Sequence, residues 1–213
     1  MSSPSVYFHY RSLEEKNKDF LSNSHIENIY ATLASWGMHR MGLTSTKMVD
    51  FNCFKNSILK QKSTLLELKD IKIESCNINI VELIEQLKGI CFSFHVSHSN
   101  SKIVGNSKAL AHILPNLVPP IDRQHTVRFF SHEDISKGNY KGLYRNLADF
   151  KNLDEEKKYF NHILNKTFDF VNLISRDKNI ILDSEFNTSY PKIFDNFIIL
   201  HVKKNKPKQS VWV

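Results

Sequence analysis

The sequence predicts a mainly α fold, a helical bundle folded as a single domain over residues 1–213. Three observations carry that expectation. Apolar residues recur at three- and four-residue spacing in about seven or eight segments, against one or two strand candidates. The composition, 41% hydrophobic and 24% charged, is that of a globular chain with enough apolar surface for one core. Helix breakers are few: the chain has six glycines and six prolines, and three of those prolines stand together between residues 115 and 120.

Taken in order, "MSSPSVYFHYRSLEEKNKDF" lacks the apolar centre of a signal peptide, and no run reaches the roughly 18 apolar residues that cross a bilayer. A cytoplasmic protein without a membrane partner is expected. "SHIENIYATLASWGMHRMG" sets Ile26, Ile29, Tyr30, Leu33, Trp36 and Met38 at helical spacing, with Ser24 as cap and Gly37 and Gly42 near the end. "STKMVDFNCFKNSILKQKSTLLELKDI" places Met48, Phe51, Phe54 and Ile58, then Leu65, Leu66 and Leu68, on one or two further helices. "NINIVELIEQLKGICFSFHV" repeats the pattern with Ile80, Leu83, Ile84 and Leu87, although "ICFSFHV" also reads as a strand. "DRQHTVRFF" gives a helical turn or two before the polar loop "SHEDISKGNYKG". "LDEEKKYFNHILNKTFDFVNLISR" is the strongest helix, with Asp154, Glu155 and Glu156 at its positive end and a stripe of Phe160, Ile163, Leu164, Phe168, Val171 and Ile174. A last helix starts near Pro191, and residues 203–213 form a basic, partly mobile tail.

The stretch "IVGNSKALAHILPNLVPPID", residues 103–122, holds the densest chemistry. Gly105 can supply a close-approach turn, after which "NSKALAHIL" opens a helix whose free N–H groups suit a phosphate. Pro115, Pro119 and Pro120 end that helix and hold an extended segment that delivers Asp122 to a fixed place. Read as S-K-x-L-x-H-x-x-P-x-L-x-P-P-x-D, the residues Ser107, Lys108, Leu110, His112, Pro115, Leu117, Pro119, Pro120 and Asp122 resemble a motif of prokaryotic proteins. They are also distantly similar to the helix-hairpin-helix DNA glycosylase superfamily. That resemblance implies Asp122 as the catalytic carboxylate, Lys108 as nucleophile or phosphate contact, and Gly105, Asn106 and Ser107 as the hairpin that grips the DNA backbone. Here Gly105-Asn106-Ser107 stands where the family's hairpin reads G-x-G, and there is no cysteine cluster for an iron–sulfur centre.

Each of these residues has a plainer role beside the functional one. Asp122 directly precedes a helical segment and is a favoured N-cap. Trp36 and Arg40 could stack a base and grip a phosphate; equally, Trp36 and Met38 could be core while Arg40 meets the carbonyls at a helix end. Arg123, His125, Arg128 and His132 make the region after Asp122 locally cationic. The net charge of +7 suits a polyanion, and the Lys, Asn and Ile content equally fits a compositional bias. Cys53, Cys76 and Cys91 match no disulfide or metal pattern and read as reduced, mostly buried thiols. His95 and His98 would share a helix face but lack a third ligand, so no metal or other cofactor is expected. Glu67 and Lys69 with Asp50, and Asp183 and Glu185 with Lys192, look superficially like nuclease sites, but such sites need strands.

The function expected from the sequence is a DNA-associated protein of helix-hairpin-helix glycosylase-like type, acting on a flipped or damaged nucleotide. Its alternatives are a non-catalytic nucleic-acid-binding or structural protein, and an enzyme on a small anionic substrate. Oligomeric state is left open.

Overall fold

The structure, a computed structural model, describes residues 4–38, 48–75, 79–127, 129–130, 150, 152–177, 180, 182–183 and 186–204. It is mainly helical, with no strand among the described residues. Helix α1 (Pro4–Lys18) packs along α2 (Asn23–Ser35). The turn between them centres on Leu21, which takes a φ of 62° and whose N–H donates to His25 Nδ1 at 3.1 Å. Ser22 caps α2 by accepting the His25 N–H at 3.1 Å, two residues before the expected Ser24. The sequence gives α1 no apolar stripe, and Ser12 is the one residue of it that is fully buried.

Asp50 caps α3 (Phe51–Leu59) by accepting the Cys53 N–H at 3.0 Å, and α4 (Lys62–Leu68) follows. The spacing of Phe54, Ile58, Leu65 and Leu68, all buried, thus resolves into two helices. Asn79 caps α5 (Ile80–Ser93). The ambiguous "ICFSFHV" is helix through Ser93 and extended after it, where Val49 N–H donates to Val96 O at 3.1 Å and a single bridge joins Met48 to Ser97.

Helix α6 (Ile103–Ile113) is the axis of the core, packed on α1, α2 and α5 and on α7 (Leu153–Ile174). Every residue of α6 except Lys108 is buried. A turn of π-helix follows at Arg123–Val127, and α8 (Tyr190–Lys204) packs against it and against α7. Pro191 lies in the first turn of α8, as expected from proline's missing donor.

Several expectations about α6 are corrected. It begins at Ile103, so Gly105 lies inside the helix and not in a hairpin. Gly105 is there for room: a Cβ would stand 3.1 Å from Met38 Cε and 3.1 Å from Val96 Cγ1. Gly105→Ala should therefore shift stability by less than about 1 kcal/mol in urea melts, because the helix-propensity gain of about 1 kcal/mol offsets the crowding. Gly105→Val, with no space for its branches, should cost about 3 kcal/mol.

Asn106 and Ser107 are likewise structural. Asn106 Nδ2 donates to Cys91 O at 2.8 Å and Phe94 O at 3.0 Å, closing the end of α5. Ser107 Oγ donates to Val104 O and accepts the Ile121 N–H, both at 3.2 Å, which ties α6 to the proline segment. Buried among protein partners, neither side chain is open to a phosphate. Two of the N–H groups at the start of α6 are also taken: Glu156 of α7 accepts from Lys102 N at 2.9 Å and Ile103 N at 3.1 Å. An acidic side chain already fills the position a phosphate would need.

Candidate functional site

The proline segment is anchored before it reaches Asp122. Ser189 donates to Pro115 O at 2.8 Å, Ile73 N–H donates to Asn116 O at 3.2 Å, and the Ser107 bond holds Ile121. Asp122 then performs the capping role and a second one. Its Oδ1 accepts from the His125 N–H at 3.2 Å and lies 3.1 Å from His125 Nδ1, while its own N–H donates to Thr126 Oγ1 at 3.0 Å. Its Oδ2 accepts from Lys108 Nζ at 2.9 Å, so the single unburied side chain of α6 is committed to the motif aspartate.

Lys108 also lies over Trp36, with Nζ 5.4 Å from the ring centroid, a cation–π distance. Trp36 is the C-cap of α2 and is 37% exposed, so the core reading of this residue is corrected; Met38, two positions on, is the buried one. The Trp36 ring is tilted against two imidazoles, His112 at 5.2 Å and His9 at 6.2 Å. His112 sits one turn after Lys108 on α6, and its Nδ1 lies 2.8 Å from Lys108 O. Its Nε2 meets His9 Nδ1 of α1 at 3.0 Å. Burial holds both imidazoles far below the usual histidine range, His112 to about 3 and His9 to about 4; His9 adds to the effect on His112, and Lys192 to that on His9.

These aromatics form one wall of a cleft of about 460 Å3. Val6, Tyr10, Pro115 and Pro120 give it a mainly apolar surface, Phe186 stands exposed at it, and Lys192 of α8 supplies a cation. Lys192 Nζ donates to Asp195 Oδ2 at 2.6 Å. Asp195 is buried, which pushes its carboxyl above the usual range while Lys192 pulls it back. An aromatic wall with few polar groups fits a planar, largely apolar ring, whose orientation those polar groups would set.

The structure thus brings Lys108, Asp122, His125 and Trp36 together. Arg123 is exposed next to Asp122. Arg40 and Arg128, with His39 and His132, lie outside the described residues, as do Cys76, Glu185, the polar loop after Phe130 and the tail from residue 205. His95 and His98 fall beyond the end of α5, so the shared helix face does not exist; His95 stands exposed, 3.9 Å from Cys53 Sγ. Cys53 is half-buried and Cys91 buried. Among the described residues no group of three or more His, Cys, Asp or Glu side chains could hold a metal ion, and no helix is long and apolar enough to cross a membrane.

His9, Lys192, Asp195 and Glu156 are site or support residues that sequence reasoning assigned no such role. His112 had a usable signal, since i and i+4 place it on the same face as Lys108. His9 had none, because its partner is 103 residues away. Comparison with protein families, with curated proteins and with solved structures finds no match to this chain.

Proposed function

We propose that this protein associates with nucleic acid, that the cleft receives an unstacked base, and that Asp122 is the carboxylate acting beside it. The observation that carries this reading is the sharing of Trp36: its ring belongs to the cleft wall and also lies under Lys108, which is paired to Asp122. A base leaving its stack regains stacking on Trp36, worth about 1–3 kcal/mol. A carboxylate fixed close to the sugar can stabilise the positive charge that develops at C1′ as the base departs. The bonds from Lys108 and His125 hold that carboxylate in one orientation.

A panel of labelled duplexes carrying uracil, oxidised or alkylated bases, mismatches and abasic sites tests this, with Asp122→Asn alongside. One substrate should yield product with the wild type and none with Asp122→Asn, while Trp36→Ala weakens binding at least tenfold. Binding without product on any substrate removes the catalytic role from Asp122 and leaves a base-binding protein.

Glu156 favours a second reading. With the start of α6 occupied by that carboxylate, the hairpin grip on a DNA backbone is not formed, and the same cleft would take a free nucleoside or nucleotide. Salt separates the two: duplex binding falls steeply between 50 and 200 mM, by about 10³-fold if some six phosphates are contacted, whereas a nucleoside changes little.

A further inference from the structure

The hydrogen-bond chain behind the cleft wall fixes a proton pattern. Lys108 O can only accept, so His112 Nδ1, at 2.8 Å, must carry a proton and donate. His112 is uncharged at neutral pH, its burial among α6 neighbours and His9 keeping it so, and its Nε2 is therefore a lone pair. His9 Nδ1 lies 3.0 Å from that lone pair and must donate to it. His9 is itself uncharged, with Lys192 as the facing cation, so its remaining nitrogen, Nε2, holds a lone pair. That nitrogen has no hydrogen-bond partner among the described residues and is not sealed from solvent, and His9 lines the cleft.

We infer that His9 Nε2 is a fixed hydrogen-bond acceptor in the cleft, which selects a heteroaromatic ligand presenting an N–H donor to it, such as the amino edge of an adenine- or cytosine-like base. The inference rests on the base-binding reading above and names the polar group that a bound base must offer. A lone imidazole could switch tautomer and accept or donate as the ligand requires. Here the switch would leave His9 Nδ1 and His112 Nε2 as two lone pairs facing each other at 3.0 Å, and would forfeit a part-buried hydrogen bond. A ligand offering only an acceptor meets a lone pair, as does one whose amine is fully methylated.

Two measurements on the full chain test this. Trp36 lies in the cleft wall, so quenching of its fluorescence reads binding of adenosine, N6,N6-dimethyladenosine and purine riboside, which share a ring system and differ at the donor. Adenosine should bind about tenfold tighter than the other two. In His112→Phe, which keeps an aromatic ring but frees His9 to change tautomer, the preference should fall to about twofold or less. Long-range nitrogen–proton NMR on the wild type reads the tautomers directly: His9 and His112 should both be Nδ1–H. His25, whose Nδ1 accepts from Leu21 N–H, should be the opposite form and serves as internal control. Equal binding of the three nucleosides, or an Nε2–H tautomer at His9, overturns the inference and leaves the base pocket standing. Failure of all three to bind overturns the base-binding reading and the inference with it.

Discussion

Lowering the pH from 7 to 4 should unfold this protein. Three imidazoles are held neutral inside it: His9 and His25, each lowered to about 4, and His112, lowered to about 3. Burial is the leading cause in all three, followed by Lys192 near His9, Lys16 near His25, and His9 near His112. In the unfolded chain each titrates near 6.5, so between that value and about 4 the unfolded state binds protons that the folded state refuses. Stability from these groups is present above pH 6.5 and is lost as pH falls, the loss completing for His9 and His25 near pH 4. A shift of this size corresponds to roughly 3 kcal/mol per group, and three such groups approach the 5–15 kcal/mol that holds a typical domain together. Asp195 works in the opposite direction, since burial raises its carboxyl and protonation in the folded state recovers part of the cost. One such group does not balance three. Urea melts at pH 7, 6, 5 and 4.5 should show the midpoint falling at each step. A midpoint unchanged from pH 7 to 4.5 would mean that these imidazoles are charged or water-exposed in the folded protein.

The helices that the sequence revealed are those with a periodic apolar face. The stripe from Phe160 to Val171 becomes the buried face of α7, with Asn152 accepting the N–H groups of Asp154 and Glu155 ahead of it. Helix α1 shows no such stripe, and its turn into α2 is fixed by His25, an interaction without a periodic signature. Gly105 reads as a turn in the sequence because a glycine that gives room to a neighbouring segment looks there like one that takes a positive φ. Only the nearness of Val96 and Met38 separates the two. Asp122 is legible through the rigid proline segment that leads to it, and Lys108 only through the motif resemblance; their pairing is not legible, and both the capping and pairing roles fall on the same carboxylate. The cleft was not legible, since it is assembled from α1, the end of α2, α6, the proline segment and α8. No local pattern in the chain records that His9 meets His112.

Glu156 carries the second large effect. The residue that caps α6 by position, Lys102, makes no side-chain capping bond, and two of the N–H groups at that end, those of Lys102 and Ile103, rely on one Glu156 oxygen. Glu156 is 3% exposed, so its removal leaves those donors without water to replace it. Bonds to a charged acceptor contribute about 1.5–3 kcal/mol each, and an orphaned buried donor is costly in addition. Glu156→Ala should therefore destabilise by about 3–4 kcal/mol, which for a chain of this size lowers Tm by roughly 10 °C. Glu156→Gln, which retains one acceptor oxygen without the charge, should lose about half as much. Asp154 supplies the comparison: it lies in the same first turn of α7, its side chain is 80% exposed, and it favours the helix dipole without touching α6. Asp154→Ala should cost no more than about 0.5 kcal/mol. If Glu156→Ala costs as little as Asp154→Ala, Glu156 acts on its own helix alone. A large difference between the two establishes that a carboxylate from α7 holds the start of α6, the helix that carries His112 to the cleft wall and Lys108 over Trp36.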